Sequence, residues 1–254
     1  MTCQIPIVDC HCHLADQRLA EERTSIIGIC AEREVRRILI NGTCPNDWQT
    51  AIELAEQYGF DAAVGVHPFL AEMWNDEVER RLYDCISSGK AQAIGEIGID
   101  ASEDRQCNEF RMNVFSRQLD IAIEAGLPVA LHIRVPWPVF FELLSQKGIA
   151  RLRGYCHNFT GSWEIARRLL DLGLCLSFNT SILRGKRVLK TIENVPLDSI
   201  LTETDTPDMP FNGEAKRPWH TRAVLEHLAE VRQCPLMDLA NAVLSNYDRL
   251  FMAT

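Results

Sequence analysis

One pattern limits this chain more than any other. Short apolar runs of strand type alternate with longer amphipathic stretches almost from end to end. The strand-type runs fall at 5–10, 37–41, 61–66, 91–96, 128–132, 154–157, 174–178 and 199–204. Helix-type segments follow them: one within 17–34, one ending at Tyr58, one from Asn75, then 108–125, 139–145, 163–172, 184–193 and 220–232, with a further one at 236–251. Punctuation agrees with the pattern. Asn46 or Asp47 can cap the helix that Gly59 stops, and Gly89 and Gly126 stand where two others should end. A strand–helix–strand unit returns the chain to the same end of a sheet, so the strands must run parallel. Eight such units in 254 residues predict one α/β domain over residues 1–254, a (β/α)8 TIM barrel with an extra C-terminal helix. The alternative is an open doubly wound sheet. That fold usually carries a glycine-rich turn after its first strand, and here the position holds His11-Cys12-His13.

In barrels of this kind the chemistry sits where the strands end. Those ends read His11 and His13, Asn41, His67, Glu96, His132, His157, and Glu203 with Asp205. Residues two apart on a strand share a face, so His11 and His13 aim together while Cys10 and Cys12 aim away. One His-x-His pair is a weak signal. Five of the seven histidines at strand ends is a stronger one, because scattered core histidines would not gather there. His220 and His227 fall in helix patterns and read as surface residues.

The donor set exceeds what one tetrahedral zinc needs. It suits two divalent ions about 3.5–4 Å apart that share a carboxylate and a water. His11, His13 and Asp205 would hold one ion, and His132 and His157 the other. Glu96 would bridge them, and Asp205 would orient a water or accept its proton. Arg134 stands two residues beyond His132 and should reach the same mouth, for a phosphate or an ion pair. His67 would hydrogen-bond a substrate phosphate or a water, or brace its loop. Glu203 shares a face with Asp205 by strand period. It joins His67 and Arg134 on the substrate side, or orients a histidine. Asn41 and Asp100 read as structural hydrogen-bonders. Trp74, Trp137, Trp163 and Trp219 read as packing residues.

Net charge is −9, which excludes broad electrostatic attraction to nucleic acid. An acidic substrate would have to be drawn locally, by bound ions, Arg134, and Lys216 and Arg217 on a later loop. Ten cysteines form no CxxC pair and the chain is long enough for a large core, so they read as reduced buried thiols. A zinc knuckle on Cys10 and Cys12 is disfavoured by their direction. No apolar run spans a membrane and no signal-peptide pattern opens the chain, so the expected location is cytoplasmic, without an obligatory protein partner.

The motifs Asp9-Cys-His-Cys-His-Leu14, Gly65-Val-His-Pro68, Gly95-Glu-Ile-Gly-Ile-Asp100, Leu127-Pro-Val-Ala-Leu-His-Ile-Arg134, His157-Asn-Phe-Thr-Gly161 and Glu203-Thr-Asp-Thr-Pro207 occur in that order. With Ser245-Asn-Tyr-Asp-Arg-Leu-Phe251 they cover nearly the whole chain. This set resembles the TatD family of metal-dependent deoxyribonucleases in the amidohydrolase superfamily. Asp208-Met-Pro-Phe-Asn-Gly213 is most similar to its YjjV-like branch. The resemblance implies a barrel, a divalent-metal site on the residues named above, and hydrolysis of DNA phosphodiesters, often from the 3′ end. Departures fall in the substrate-facing loops: Ala101, Asn158 and Thr160, and the missing Asn-Glu-Pro before Arg217-Pro218.

The expected activity is therefore 3′-5′ exonucleolytic cleavage of DNA through a hydroxide shared by two ions. Alternatives are an amide, ester or lactone hydrolase of the same superfamily, including an aminoacyl-RNA deacylase, and a non-catalytic binding protein. The complete donor set opposes the last. Imidazole donors favour Zn2+ or Mn2+, whereas the resemblance implies Mg2+. Substrates would be DNA 3′ ends or another small phosphodiester or ester.

Overall fold

A computed structural model describes residues 4–101, 108–185 and 188–252. Eight parallel strands form one sheet in sequential order. They are β1 (Ile7–Cys12), β2 (Val35–Asn41), β3 (Asp61–Val64), β4 (Ala93–Asp100), β5 (Val129–Arg134), β6 (Gly154–Cys156), β7 (Leu174–Phe178) and β8 (Ile200–Thr202). The helices are α1 (Arg23–Glu32), α2 (Trp48–Tyr58), α3 (Asp76–Ser87), α4 (Glu109–Ala125), α5 (Trp137–Gln146), α6 (Trp163–Asp171), α7 (Leu189–Asn194), α8 (Thr221–Arg232) and α9 (Leu236–Phe251). The order is that of a (β/α)8 barrel, with α9 as the extra C-terminal helix.

The sheet closes on itself where β1 meets the chain beyond β8. Asp205 N–H donates to His11 O at 2.8 Å and His13 N–H to Thr206 O at 2.7 Å. Fully buried Asp9 accepts from the Thr204 hydroxyl and N–H, fixing the seam from within. The other end of the barrel is covered by α9. Its Tyr247 hydroxyl donates to Asp61 at the start of β3, and Asn246 donates to the Ile200 carbonyl at the start of β8. Every residue of β1, β4 and β7 is buried, as expected of strands covered on both faces.

Helix boundaries follow local chemistry. The Asn75 side chain accepts from Glu77 and Val78 N–H at 3.0 Å, a cap worth about 1 kcal/mol. Gly59 ends α2 at φ +70°, a conformation glycine takes without Cβ strain. Asp47 does precede α2 but caps no helix N–H. Its carboxylate instead ties Thr43 and Cys44 into a turn.

Three strands run past their expected ends. β1 continues through Cys12, β4 through Asp100 rather than stopping at Glu96, and β5 through Arg134 rather than stopping at His132. β4 and β5 pair along their whole length, and a Cβ on Gly98 would lie 1.8 Å from the His132 carbonyl oxygen. Only glycine permits that approach, which sets His132 beside Glu96. The segment expected as one helix at 184–193 is a 3₁₀ turn at Thr180–Arg184 followed by α7, and Lys186 and Arg187 lie outside the described residues. Cys3 and Cys107 also lie outside them; the eight described cysteines are free thiols. Among the described residues, no helix is long and apolar enough to cross a membrane.

Candidate metal centre

Glu96, buried in β4, is the point on which the strand-end residues converge. Its two oxygens face different partners. Oε2 lies 3.3 Å from His11 Nε2 and 3.5 Å from His13 Nε2. Oε1 lies 2.7 Å from His132 Nδ1, 3.0 Å from His157 Nε2 and 3.6 Å from His67 Nε2. Asp205 Oδ1 closes the first set, 3.2 Å from His13 Nε2 and 3.8 Å from His11 Nε2. Donors about 2.1 Å from one tetrahedral ion stand about 3.4 Å apart, so this first set already has the spacing of a metal's ligands.

The far nitrogen of each imidazole shows which tautomer it holds. His11 Nδ1 donates to the Tyr155 hydroxyl at 2.9 Å, and that hydroxyl donates onward to the Cys10 carbonyl. His13 Nδ1 donates to the Asn41 carbonyl at 2.9 Å. His132 Nε2 donates to Asp100 at 2.7 Å, and His157 Nδ1 faces Glu203 at 3.3 Å. In its neutral form, the one a metal needs, each ring would therefore turn a lone pair toward Glu96. His11 Nε2 is buried and hydrogen-bonded to nothing, although Glu96 is close. An orphaned acceptor of this kind beside a buried carboxylate fits a divalent cation.

His67 differs. Its Nδ1 accepts the Phe69 N–H at 3.1 Å, so Nε2 carries the hydrogen and is a donor. The loop that holds it is firmly pinned: buried Gln118 on α4 satisfies both the N–H and the carbonyl of Val66, and Trp48 donates to the Gly65 carbonyl. His67, Glu96 and His132 lie close enough to be taken for a metal triad, but the tautomer makes His67 a hydrogen-bond donor to the site.

Charge balance inside the cluster is tight. Burial opposes ionisation of Glu96, but the His67, His157 and His11 rings hold it well below the usual carboxylate range. Asp205 is likewise held low against burial, by His13, His157 and His11. Burial would lower His13, yet Asp205, Glu96 and the Asn41 carbonyl raise it to about 10. His132 and His157 are also raised against burial: His132 by Asp100 and Glu96, His157 by Glu96 and Glu203. Burial pushes His11 and His67 down. Beneath the cluster, burial pushes Asp9 up to about 8 in spite of its bonds from Thr204.

The structure gathers His11, His13, Glu96, His132, His157 and Asp205 into one cluster, with His67 at its edge. It moves four residues from their expected places. Glu203 does not share a face with Asp205. The strand ends at Thr202 and Asp205 takes a left-handed φ of +64°, which breaks the two-residue period. Glu203 is fully buried behind His157 and accepts from the Asn158 N–H at 2.8 Å. Lys216 adds no charge at the surface of the mouth. It is fully buried, its Nζ has no hydrogen-bond partner, and burial lowers it despite Asp205, Glu203, Asp9 and Asp208. Arg217 is turned away onto Glu22 at 2.6 Å. Arg134 does reach the mouth, with a side chain 60% exposed and Nε 3.9 Å from Asp100. His220 is half-buried rather than a surface residue, and its Nδ1 accepts the Arg217 N–H.

Tyr155 and Asp100 were legible in the sequence only as a strand residue and a structural hydrogen-bonder. Their roles in fixing His11 and His132 depend on which strands are neighbours. Cys10 and Cys12 lie outside the donor groups found among the described residues.

Comparison with known proteins agrees with this geometry. The family described as TatD related DNase matches residues 8–252. The chain is 31% identical over 252 residues to the uncharacterized metal-dependent hydrolase YjjV of Escherichia coli (strain K12), covering 96% of this chain and 97% of that one. The crystal structure of YjjV matches with a TM-score of 0.91 at 30% identity, covering 99% of this chain and 100% of that one. The uncharacterized metal-dependent hydrolase YabD of Bacillus subtilis (strain 168) is 29% identical, over 96% of this chain and 98% of its own. A protein named 3′-5′ ssDNA/RNA exonuclease TatD, from Pectobacterium parmentieri (strain WPP163), is 29% identical over 200 residues, 77% of each chain.

Proposed function

This chain belongs to the TatD-related DNase family of metal-dependent hydrolases, and from that premise we propose that it is a two-metal nuclease removing nucleotides from the 3′ ends of single-stranded DNA. The observation that carries the reading is Glu96, with one oxygen toward His11 and His13 and the other toward His132 and His157. A carboxylate placed in this way serves two ions at once. In this reading His11, His13 and Asp205 would hold one ion, His132 and His157 the other, and Glu96 would be shared between them. The exonuclease name of the Pectobacterium relative supports the choice of substrate.

Divalent ions in these places would supply Lewis acidity toward phosphoryl oxygens and a water acidic enough to react at neutral pH. The chain's own residues do the rest. Tyr155, the Asn41 carbonyl, Asp100 and Glu203 lock the four rings with their lone pairs inward, so little reorganisation is needed when the ions bind. Asp205, whose side chain is 15% exposed at the mouth, takes the proton of the attacking water through the oxygen not turned to His13. His67 Nε2–H and the Arg134 guanidinium donate to phosphate oxygens. Imidazole-rich donors suit Zn2+ or Mn2+ better than Mg2+. The eight described cysteines are free thiols, which suits the reducing cytoplasm.

The test is a panel of 3′-labelled single-stranded DNA, RNA and simple esters, each offered to the purified protein with Mg2+, Mn2+ and Zn2+. Metal-dependent shortening from the 3′ end is expected. Ester hydrolysis with intact nucleic acids would replace this reading with carbonyl hydrolysis on the same cluster.

A further inference from the structure

Beside the donor cluster a cavity of about 430 Å³ opens over the ends of β5 to β8. His157 belongs to both, so whatever fills the cavity lies against the metal centre. Pockets for small ligands run from about 300 to about 1,000 Å³, so this one admits a single nucleoside-sized unit and not a length of chain.

Its lining is mixed in an unusual way. Trp137, the first residue of α5, is half-buried at the cavity wall. Phe140, Phe141 and Phe159 stand around it with ring centroids 6.3, 6.1 and 6.0 Å away, so the indole is fixed before any ligand arrives. Met209, on the loop after β8, also lines the cavity, 48% exposed on a left-handed backbone. Trp137 follows β5 and Met209 follows β8, so the two stand at opposite ends of the sector the cavity spans. A rigid aromatic ring and a pliable thioether both suit the face of a flat ring.

Polar groups occupy the remaining wall. Asn158 Oδ1 accepts from the Ser181 hydroxyl at 3.2 Å, which turns the Asn158 amide N–H groups toward other acceptors. Among the described residues those N–H groups make no hydrogen bond, and the Arg134 guanidinium has only its 3.9 Å ion pair with Asp100. The cavity therefore offers a stacking surface together with amide and guanidinium donors. That chemistry matches a nucleobase, with apolar faces and an edge of carbonyl and ring-nitrogen acceptors.

We propose that this cavity is a subsite for one nucleobase of the substrate, next to the phosphate at the metal centre, with Trp137 as its stacking face. The proposal rests on the nuclease reading and names what the site recognises. It makes Trp137, Met209 and Asn158 specificity residues that contact substrate.

The experiment compares deoxyadenosine monophosphate with deoxyribose 5-phosphate, which lacks the base, as ligands of the Zn2+-loaded protein, by calorimetry and tryptophan fluorescence. Stacking on an aromatic side chain is worth about 5- to 150-fold in affinity. The nucleotide should bind at least about tenfold more tightly than the sugar phosphate. Trp137→Ala should remove most of that difference and leave sugar phosphate affinity unchanged. Trp137→Phe should keep the affinity but lose the quenching of emission. Met209→Ala, at an exposed loop position, should weaken nucleotide binding even if Trp137→Ala fails to fold. Equal binding of both ligands by the wild type, or quenching that survives in Trp137→Phe together with nucleotide affinity unchanged in Met209→Ala, overturns the subsite. Selective nucleotide binding by a protein that cleaves no nucleic acid would overturn the nuclease reading and leave the subsite standing.

Discussion

Loading the metal centre should expel protons, and their number follows from the geometry. Imidazole ligates a metal only when neutral. In the metal-free protein three of the four inward-facing rings, His13, His132 and His157, are held in favour of their charged form by buried carboxylates. His11, pushed down by burial, is already neutral at physiological pH. Filling both sites at pH 7 should therefore release two to three protons.

The cost can be placed for His13. Its proton binds with a pKa of about 10. At pH 7, removing it costs about 4 kcal/mol, or a factor of about 10³ in metal affinity, at about 1.36 kcal/mol for each pH unit below 10. The sign is fixed: raising pH toward 10 lifts this penalty, and lowering pH deepens it. The slope of log affinity against pH equals the protons expelled, so affinity should climb by about two log units per pH unit just above neutrality. The assay is a pH-stat titration of chelator-stripped protein with Zn2+, beside competition against a chromophoric chelator from pH 6 to 9. Release of less than one proton per chain, or affinity flat across that range, would refute both the charged imidazoles and their role as ligands.

Glu96→Ala should lower metal content at both sites together, whereas Asp205→Asn should keep measurable metal and lose nearly all hydrolysis; elemental analysis and a turnover assay separate the two. Chelator-stripped protein should melt at a lower temperature at pH 9 than at pH 6. Asp9, raised to about 8 from 3.8, and His13, raised to about 10 from 6.5, each stabilise the fold below the unfolded value and lose that contribution as pH rises through the folded one. Gly98→Ala should cost about 3 kcal/mol or more in chemical denaturation and depress metal content, because its Cβ would press the His132 carbonyl. Binding of oligonucleotides to metal-loaded Asp205→Asn should depend weakly on salt. Two divalent ions bring −9 only to −5, so a slope equivalent to about two or three phosphates is expected, with no gain from longer DNA. A steep slope that grows with length would reveal a basic track.

The alternation of patterns and the motif at Asp9–Leu14 were enough to read a barrel with histidines at its strand ends. Strand and helix periods are local, and barrel closure leaves few other ways to bury eight apolar strands. His11 and His13 still converge on Glu96, although β1 ends at Cys12 and His13 stands just beyond it. Parity failed at Glu203 and Asp205, where a left-handed residue turned one carboxylate to the mouth and the other behind His157. No periodicity encodes such a reversal. The tautomers were likewise invisible, since they depend on which acceptor lies behind each ring: a Tyr155 hydroxyl 144 residues from His11, an Asn41 carbonyl 28 residues from His13. His67 looks like the other strand-end histidines in sequence and differs only because Phe69 folds back to donate to its Nδ1. Trp137 and Met209 carry no common motif. They meet at one cavity because four neighbouring strands end beneath it, and that adjacency is a property of the closed barrel alone.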